Sequence, residues 1–406
     1  MNASITANVL GQGYCRISIA GVTIAAVERL GEDLVRAPYC SPGFIDLQFN
    51  GAMGVDFSSD SLTAESAASL TAALWKTGVT SFCPTLVTSP LDRLERNLRI
   101  LERAREDHPD FAASVACYHL EGPYLSPGPS HGAHDPAWMR HPQWAEFERL
   151  QEAAGGRIGV VTMAPELPGS SEFIRRAVES GVVVAIGHTD GEARHIYEAI
   201  EAGASLSTHL GNGCPEFIHR HRAPLWAQLV SDRLAASMIC DGFHLPPELV
   251  QAVARLKGPD RTVLVTDSVS VAGLPAGDYC LGNVPIRLLP TGQVVTRTAS
   301  SSMAGSTLTM DRAIDRYQAL GGVSLCEAIA AASTNPARLL ARVLARSLAG
   351  SSARTGAVCG CVRPGEPANL ALWRVDGGQL RVEQVYVHGA GKEQYHGAEH
   401  HVGNRN

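Results

Sequence analysis

Eight apolar runs of strand length, separated by amphipathic stretches, constrain this 406-residue chain more than any other feature. They are FIDLQFN (44–50), TSFCPTLVT (80–88), SVACYHLEG (114–122), IGVVTMAPE (158–166), VVVAIGHTD (182–190), ASLSTHLGN (204–212), LAASMICDG (234–242) and RTVLVTDSV (261–269). Segments such as LTAESAASLTAALWKTG and SEFIRRAVESG lie between them, with apolar residues at three-to-four spacing. Strands that are apolar throughout, alternating with helices, belong to a parallel sheet covered on both faces. Eight such units close a (β/α)8 barrel. Before the first run come short β-like pieces ending at Pro42-Gly43, and the segment GEPANLALWRVDGGQLRVEQVYVHG returns to strands. The expected architecture is α/β: a TIM-like barrel over 43–357, with a small β-sandwich unit built from both termini (1–42 and 358–400). The His-rich tail HGAEHHVGNRN is expected to fray.

Hydrophobic residues make up 45% of the chain and charged residues 18%, enough apolar material for a large core. The net charge of −6 argues against a nucleic-acid backbone or an anionic membrane surface as the main partner. No apolar run approaches the roughly 18 residues of a membrane span. The start, MNASITANVLGQGYC, lacks the basic and apolar regions of a signal peptide. Ten cysteines are scattered without a metal or disulfide framework. Together these features lead us to expect reduced thiols in a cytoplasmic protein.

Barrel chemistry gathers at the C-terminal ends of the strands. There the third run ends His119-Leu120-Glu121, the fifth Gly187-His188-Thr189-Asp190, and the sixth Thr208-His209-Leu210-Gly211-Asn212. The seventh ends Asp241-Gly242-Phe243-His244 and the eighth Thr266-Asp267-Ser268. Glu121, His188 and His209 make a His2Glu set, which suits a divalent ion such as zinc with one position left for water. Zinc lowers the pKa of bound water toward ~7 and polarises a carbonyl. Asp267 can then move the proton. Each residue has a plainer reading: a hydrogen-bonded structural histidine, a turn glutamate before Gly-Pro, an aspartate capping a helix. Their shared register on successive strands favours the metal hydrolase.

These strand ends also carry a family resemblance. The stretches PGFIDLQFNGAMGVDF (42–57), HLEGPYLSPGPSHGAHDP (119–136), IGHTDGEA (186–193), THLGNGCP (208–215), DGFHL (241–245), LVTDSVSVAG (264–273), AGSTLTM (304–310) and GEPANLALW (365–373) resemble the N-acetylglucosamine-6-phosphate deacetylases of the amidohydrolase superfamily. The resemblance implies hydrolysis of the acetamide of a phosphorylated amino sugar, by a barrel enzyme acting as a homodimer. It makes Glu121, His188 and His209 the ligands of one divalent metal ion per subunit, with zinc the expected ion. Asp267 becomes the general base and acid. Many relatives carry His-x-His at the end of the first strand for a second metal. Here that site reads Gln48-Phe49-Asn50, and amides are poor ligands beside imidazole. We therefore expect a single ion, with Gln48 and Asn50 hydrogen-bonding in the barrel mouth.

By the same resemblance, Ala133 and His134 meet the sugar, and Asn212 and Gly213 offer an amide and a backbone N–H to phosphate or hydroxyls. His244 binds a sugar oxygen and polarises the scissile carbonyl, and Met303, Ala304 and Gly305 line the loop above the sugar. For Gly213 and Gly305 an ordinary tight turn is the plainer reading. The phosphate-binding arginine is either Arg220 or Arg222 in HRHR, a run that also reads as a solvated loop. Gly211 and His131 stand where related enzymes carry other residues, so the sugar or phosphate pocket is expected to differ. The alternatives are an amidohydrolase for an unphosphorylated N-acetyl amino sugar or an N-acyl amino acid, and a catalytically silent barrel serving as a binding subunit.

Overall fold

The computed structural model describes residues 2–282, 284–297, 302–349 and 358–392. Each of the eight apolar runs contributes one strand: β1 (Phe44–Phe49), β2 (Val79–Val87), β3 (Tyr118–Glu121), β4 (Ile158–Met163), β5 (Val183–Ile186), β6 (Leu206–Ser207), β7 (Ala235–Met238) and β8 (Thr262–Leu264). They are parallel and neighbour one another in chain order. At the rim, Asp267 N–H donates to the Gln48 carbonyl and Asn50 N–H to the Ser268 carbonyl, each at 2.9 Å, drawing β8 onto β1. The expected (β/α)8 barrel is what forms. Every residue of β1 and β4 is buried, which is why these strands read as apolar runs rather than alternating ones.

The helices follow from local chemistry. Helix Ala64–Lys76 starts at Thr63, whose Oγ1 accepts from Ser66 N–H at 3.1 Å, while Ser66 Oγ accepts from Thr63 N–H at 3.1 Å. Such a capping box contributes about 1 kcal/mol. Ala67, Leu70 and Leu74 fall on the face turned to the barrel and are buried.

Most strands are shorter than their apolar runs, and past three of them the backbone turns sharply. The chain leaves the pleat at His188 (φ 50°), His209 (φ 28°) and Asp267 (φ 49°), three non-glycine residues in the left-handed region. Each such residue costs on the order of 1–3 kcal/mol, so the surrounding structure must over-determine it. All three are candidate site residues.

The termini supply a seven-stranded sheet. Asn2–Val9, Gly13–Ala20, Thr23–Gly31 and Tyr39–Pro42 join Leu370–Asp376, Gln379–Val387 and Ala390–Lys392. The edge at Thr23 pairs with Pro367, so the sheet folds back on itself over Ile5, Ile17, Ile19, Ile24, Leu370 and Leu372. Buried Trp373 stacks on Tyr39 at 4.9 Å and donates to Ser41 Oγ at 3.0 Å. The stretch 393–400 and the His-rich tail lie outside the described residues.

A three-stranded sheet (Gly277–Leu281, Val284–Leu288, Val294–Thr296) follows β8. Its inner residues Ile286, Leu288 and Val294 pack on Val269, Val271 and Ala304. Among the described residues no helix is long and apolar enough to cross a membrane, and all ten cysteines are free.

Candidate active site

Glu121 ends β3, while His188 and His209 stand just beyond β5 and β6. The barrel brings all three together: one ligand atom from each lies within 4.8 Å of the others, and all three residues are buried. Glu121 Oε1 is 3.3 Å from His188 Nε2 and 3.1 Å from His209 Nε2, and the two Nε2 atoms are 3.2 Å apart. Burial alone would raise the Glu121 carboxyl, but bonding to the two imidazoles outweighs it and holds the group well below the usual carboxylate range.

The surroundings orient these side chains. His188 Nδ1–H donates to the Ser130 carbonyl at 2.9 Å. A carbonyl only accepts, so Nδ1 carries a proton, and Nε2 is the ring nitrogen that faces Glu121 and His209. The loop holding His209 is fixed by its backbone N–H, which donates to Ser237 Oγ at 2.8 Å. Two imidazoles and a carboxylate aimed at one point fit a divalent cation.

Asp267 stands beside this set. The Gln48 amide donates to Glu121 Oε1 at 2.9 Å and to Asp267 Oδ1 at 3.2 Å, and the Asn50 amide donates to Asp267 Oδ1 at 2.6 Å. Both amides load Oδ1, leaving Oδ2 for a proton. Burial, then the neighbouring Glu121 charge, raise the Asp267 carboxyl to about 6. On the far side, His244 Nδ1–H donates to Asp241 Oδ2 at 2.6 Å. Burial pushes the Asp241 carboxyl up, but its bond to His244 outweighs this and lowers it overall. The ring nitrogen left for a ligand is Nε2.

A cavity of about 280 Å³ opens above these groups. Of the residues expected around a sugar, Ala133, His134, Asn212, Gly213, His244, Met303 and Gly305 line it. His134 is neutral, its pKa lowered to about 3 by burial and the nearby His188. Gly213 is more than a turn residue: with φ 56°, its added Cβ would come 2.8 Å from His188 Nδ1. Ala304, expected in the lining, is instead fully buried in the small core below. Its place is set by the three-stranded sheet, which the sequence reading did not foresee.

The arginines also differ from expectation. Neither Arg220 nor Arg222 lines the cavity of its own chain. Both lie on an exposed loop, where Arg222 is 3.6 Å from Glu192 and Arg220 offers its carbonyl to Trp226. The guanidinium that does line the cavity belongs to Arg93, which pairs with Asp60 at 2.7 Å and whose Nε is buried without a partner. Trp138 is a second unforeseen lining residue. Both lie beyond the strand ends, and only the packing of the surrounding loops and helix brings them to the mouth.

The whole architecture recurs in known proteins. Residues 39–390 match the Amidohydrolase family. An N-acetylglucosamine-6-phosphate deacetylase of Danio rerio is 36% identical over 309 residues, covering 74% of this chain and 75% of the relative. An N-acetylgalactosamine-6-phosphate deacetylase of Escherichia coli O157:H7 is 33% identical over 377 residues, covering 92% and 93%. A solved mutant N-acetyl-D-glucosamine-6-phosphate deacetylase of Mycobacterium smegmatis, in complex with N-acetyl-D-glucosamine-6-phosphate, superposes with a TM-score of 0.80. It is 30% identical, over 96% of this chain and 99% of that one. With fold and sequence in agreement, the chain belongs to the amidohydrolase family, among its N-acetylglucosamine-6-phosphate deacetylases.

Proposed function

We propose that this protein hydrolyses the N-acetyl group of N-acetylglucosamine-6-phosphate or a close amino-sugar phosphate, releasing acetate and the free amine. The observation that carries this reading is the cluster of Glu121, His188 and His209 within 4.8 Å, at the floor of a cavity also lined by Asp267 and His244. Glu121, His188 and His209 would hold a divalent ion, with zinc the expected one, and when bound it would supply an acidified water and a Lewis acid for the acetyl carbonyl. Asp267 Oδ2 takes a proton from the attacking water and returns it to the departing amine, while Gln48 and Asn50 hold Oδ1 and keep the carboxylate aimed. His244, braced by Asp241, offers Nε2 to a sugar hydroxyl beside the scissile amide. His134, neutral and anchored on Thr88 Oγ1 at 3.1 Å, meets a hydroxyl together with the backbone at Ala133. Asn212 and Gly213 face the ligand from the loop after β6, with Met303 and Gly305 on the loop above it.

We assign the phosphate to Arg220 or Arg222. Since neither lines the cavity of its own chain, the assignment calls for a homodimer in which the loop of one subunit serves the other. The long match to the N-acetylgalactosamine-6-phosphate deacetylase favours a second reading, in which the substrate is the C4 epimer. Deacetylation assays on both N-acetyl hexosamine 6-phosphates and their unphosphorylated forms, with bound metal measured in parallel, test the proposal. A higher kcat/KM on a phosphorylated sugar than on its unphosphorylated form is expected. Equal kcat/KM with and without phosphate contradicts it.

A further inference from the structure

The loop after β3, residues 126–134, brings Ser130, Ala133 and His134 to the cavity. One carboxylate fastens it to the far side of the mouth. Asp190 Oδ2 accepts from Ser126 Oγ–H at 2.5 Å, and Asp190 Oδ1 from Ser130 N–H at 3.2 Å. Asp190 is itself held, since its backbone N–H donates to Glu166 Oε1 at 2.8 Å. Thr189 Oγ1–H donates to the other oxygen of Glu166 at 2.5 Å. Ser130, pinned in this way, is the residue whose carbonyl accepts from His188 Nδ1. The same loop meets β5 again where Ser126 N–H donates to the His188 carbonyl at 3.1 Å. The carboxylate of Asp190 is thus one bond removed from the atom that fixes the His188 tautomer.

We propose that Asp190 is a positioning residue that couples the order of this loop to metal binding at His188. The inference rests on the metal reading above but not on the identity of the substrate. Partners that orient a ligating histidine are worth about 10–100-fold in metal affinity. Coupling between two equilibria is reciprocal, so the metal must also order the loop.

Zinc affinity, measured by competition with a chelating indicator, and limited proteolysis of the loop with and without zinc test the proposal. Asp190→Ala is expected to weaken zinc binding about 10–100-fold and to abolish the protection that zinc gives the loop. Asp190→Asn, which can still accept from Ser130 N–H and bond to Ser126, is expected to keep nearly the wild-type affinity. Gly128→Ala attacks the clamp from the loop side. Its backbone φ of −80° accommodates alanine, but the new Cβ would stand 2.2 Å from Asp190 Oδ2. It is expected to weaken zinc binding with residue 190 still aspartate, which guards against a folding defect peculiar to the Asp190 variant. Wild-type affinity in both Asp190→Ala and Gly128→Ala overturns the proposal. So does an asparagine variant as weak as the alanine one, because charge rather than the clamp would then be responsible. A wild-type protein that takes up no zinc overturns the metal reading instead.

Discussion

Asn50 donates its side-chain amide to Asp267 Oδ1 at 2.6 Å, and Gln48 adds a second amide at 3.2 Å. The site where a His-x-His pair would hold a second metal is thus given over to aiming the aspartate. One oxygen of Asp267 is occupied and the other is left for proton transfer. Asp267→Asn is expected to keep the fold and the metal while lowering kcat by about 10²–10⁴-fold, the usual share of general acid–base catalysis. Single-turnover kinetics on metal-loaded enzyme check this. A near-normal kcat would remove Asp267 from the role.

The pH profile reads the same group. Burial and Glu121 raise Asp267 to about 6, and a cation at the triad acts in the opposite sense. Asp267 accepts a proton only when ionised, so kcat/KM is expected to fall on the acid side with an apparent pKa at or below about 6. An acid limb above neutrality would contradict it.

Much of this site was legible because barrel geometry forces strand ends to converge. Glu121, His188, His209 and Asp267 are polar interruptions at the ends of apolar runs, where period and position mark them, whereas the role of His244 came from the family resemblance. The strand lengths were not legible, because the left-handed turns at His188, His209 and Asp267 depend on neighbours that only the fold supplies. Nor was the sheet after β8, whose strands Gly277–Leu281 and Val284–Leu288 alternate in exposure over only five residues each. Arg93 reaches the cavity from the first turn of a helix, at a position indistinguishable in sequence from a surface arginine. The clamp at Asp190 needs two loops brought together, and no local motif encodes that.

Beneath the site, Asp46 bonds to Thr266 through both its backbone N–H and its hydroxyl. Burial raises the Asp46 carboxyl from 3.8 to about 7, against those bonds. The folded protein therefore binds more protons than the unfolded chain across that window. The stability this contributes is complete below the unfolded value and is lost as pH rises through the folded one. Asp46→Asn should remove that slope, so its stability relative to wild type should increase from pH 4 to pH 8. Denaturant titrations with chelator present check the sign, and a flat or falling difference would contradict it.

The arginines divide the phosphate question cleanly. Replacing Arg220 and Arg222 together by alanine is expected to raise KM for the phosphorylated sugar about tenfold or more, the worth of a charged hydrogen bond, while sparing the unphosphorylated one. Arg93→Ala is expected to leave that discrimination in place. The reverse pattern, measured by the two KM values, would put the phosphate on the β2 side of the cavity within a single chain.

Anomalous diffraction at the zinc edge, on crystals grown with excess zinc, gives the most direct reading. One peak per chain is expected, about 2.0–2.2 Å from a Glu121 carboxylate oxygen and from Nε2 of both His188 and His209. It should vanish in His209→Ala. A cavity without that peak, or zinc bound anywhere else in the mouth, would contradict the proposed hydrolase chemistry.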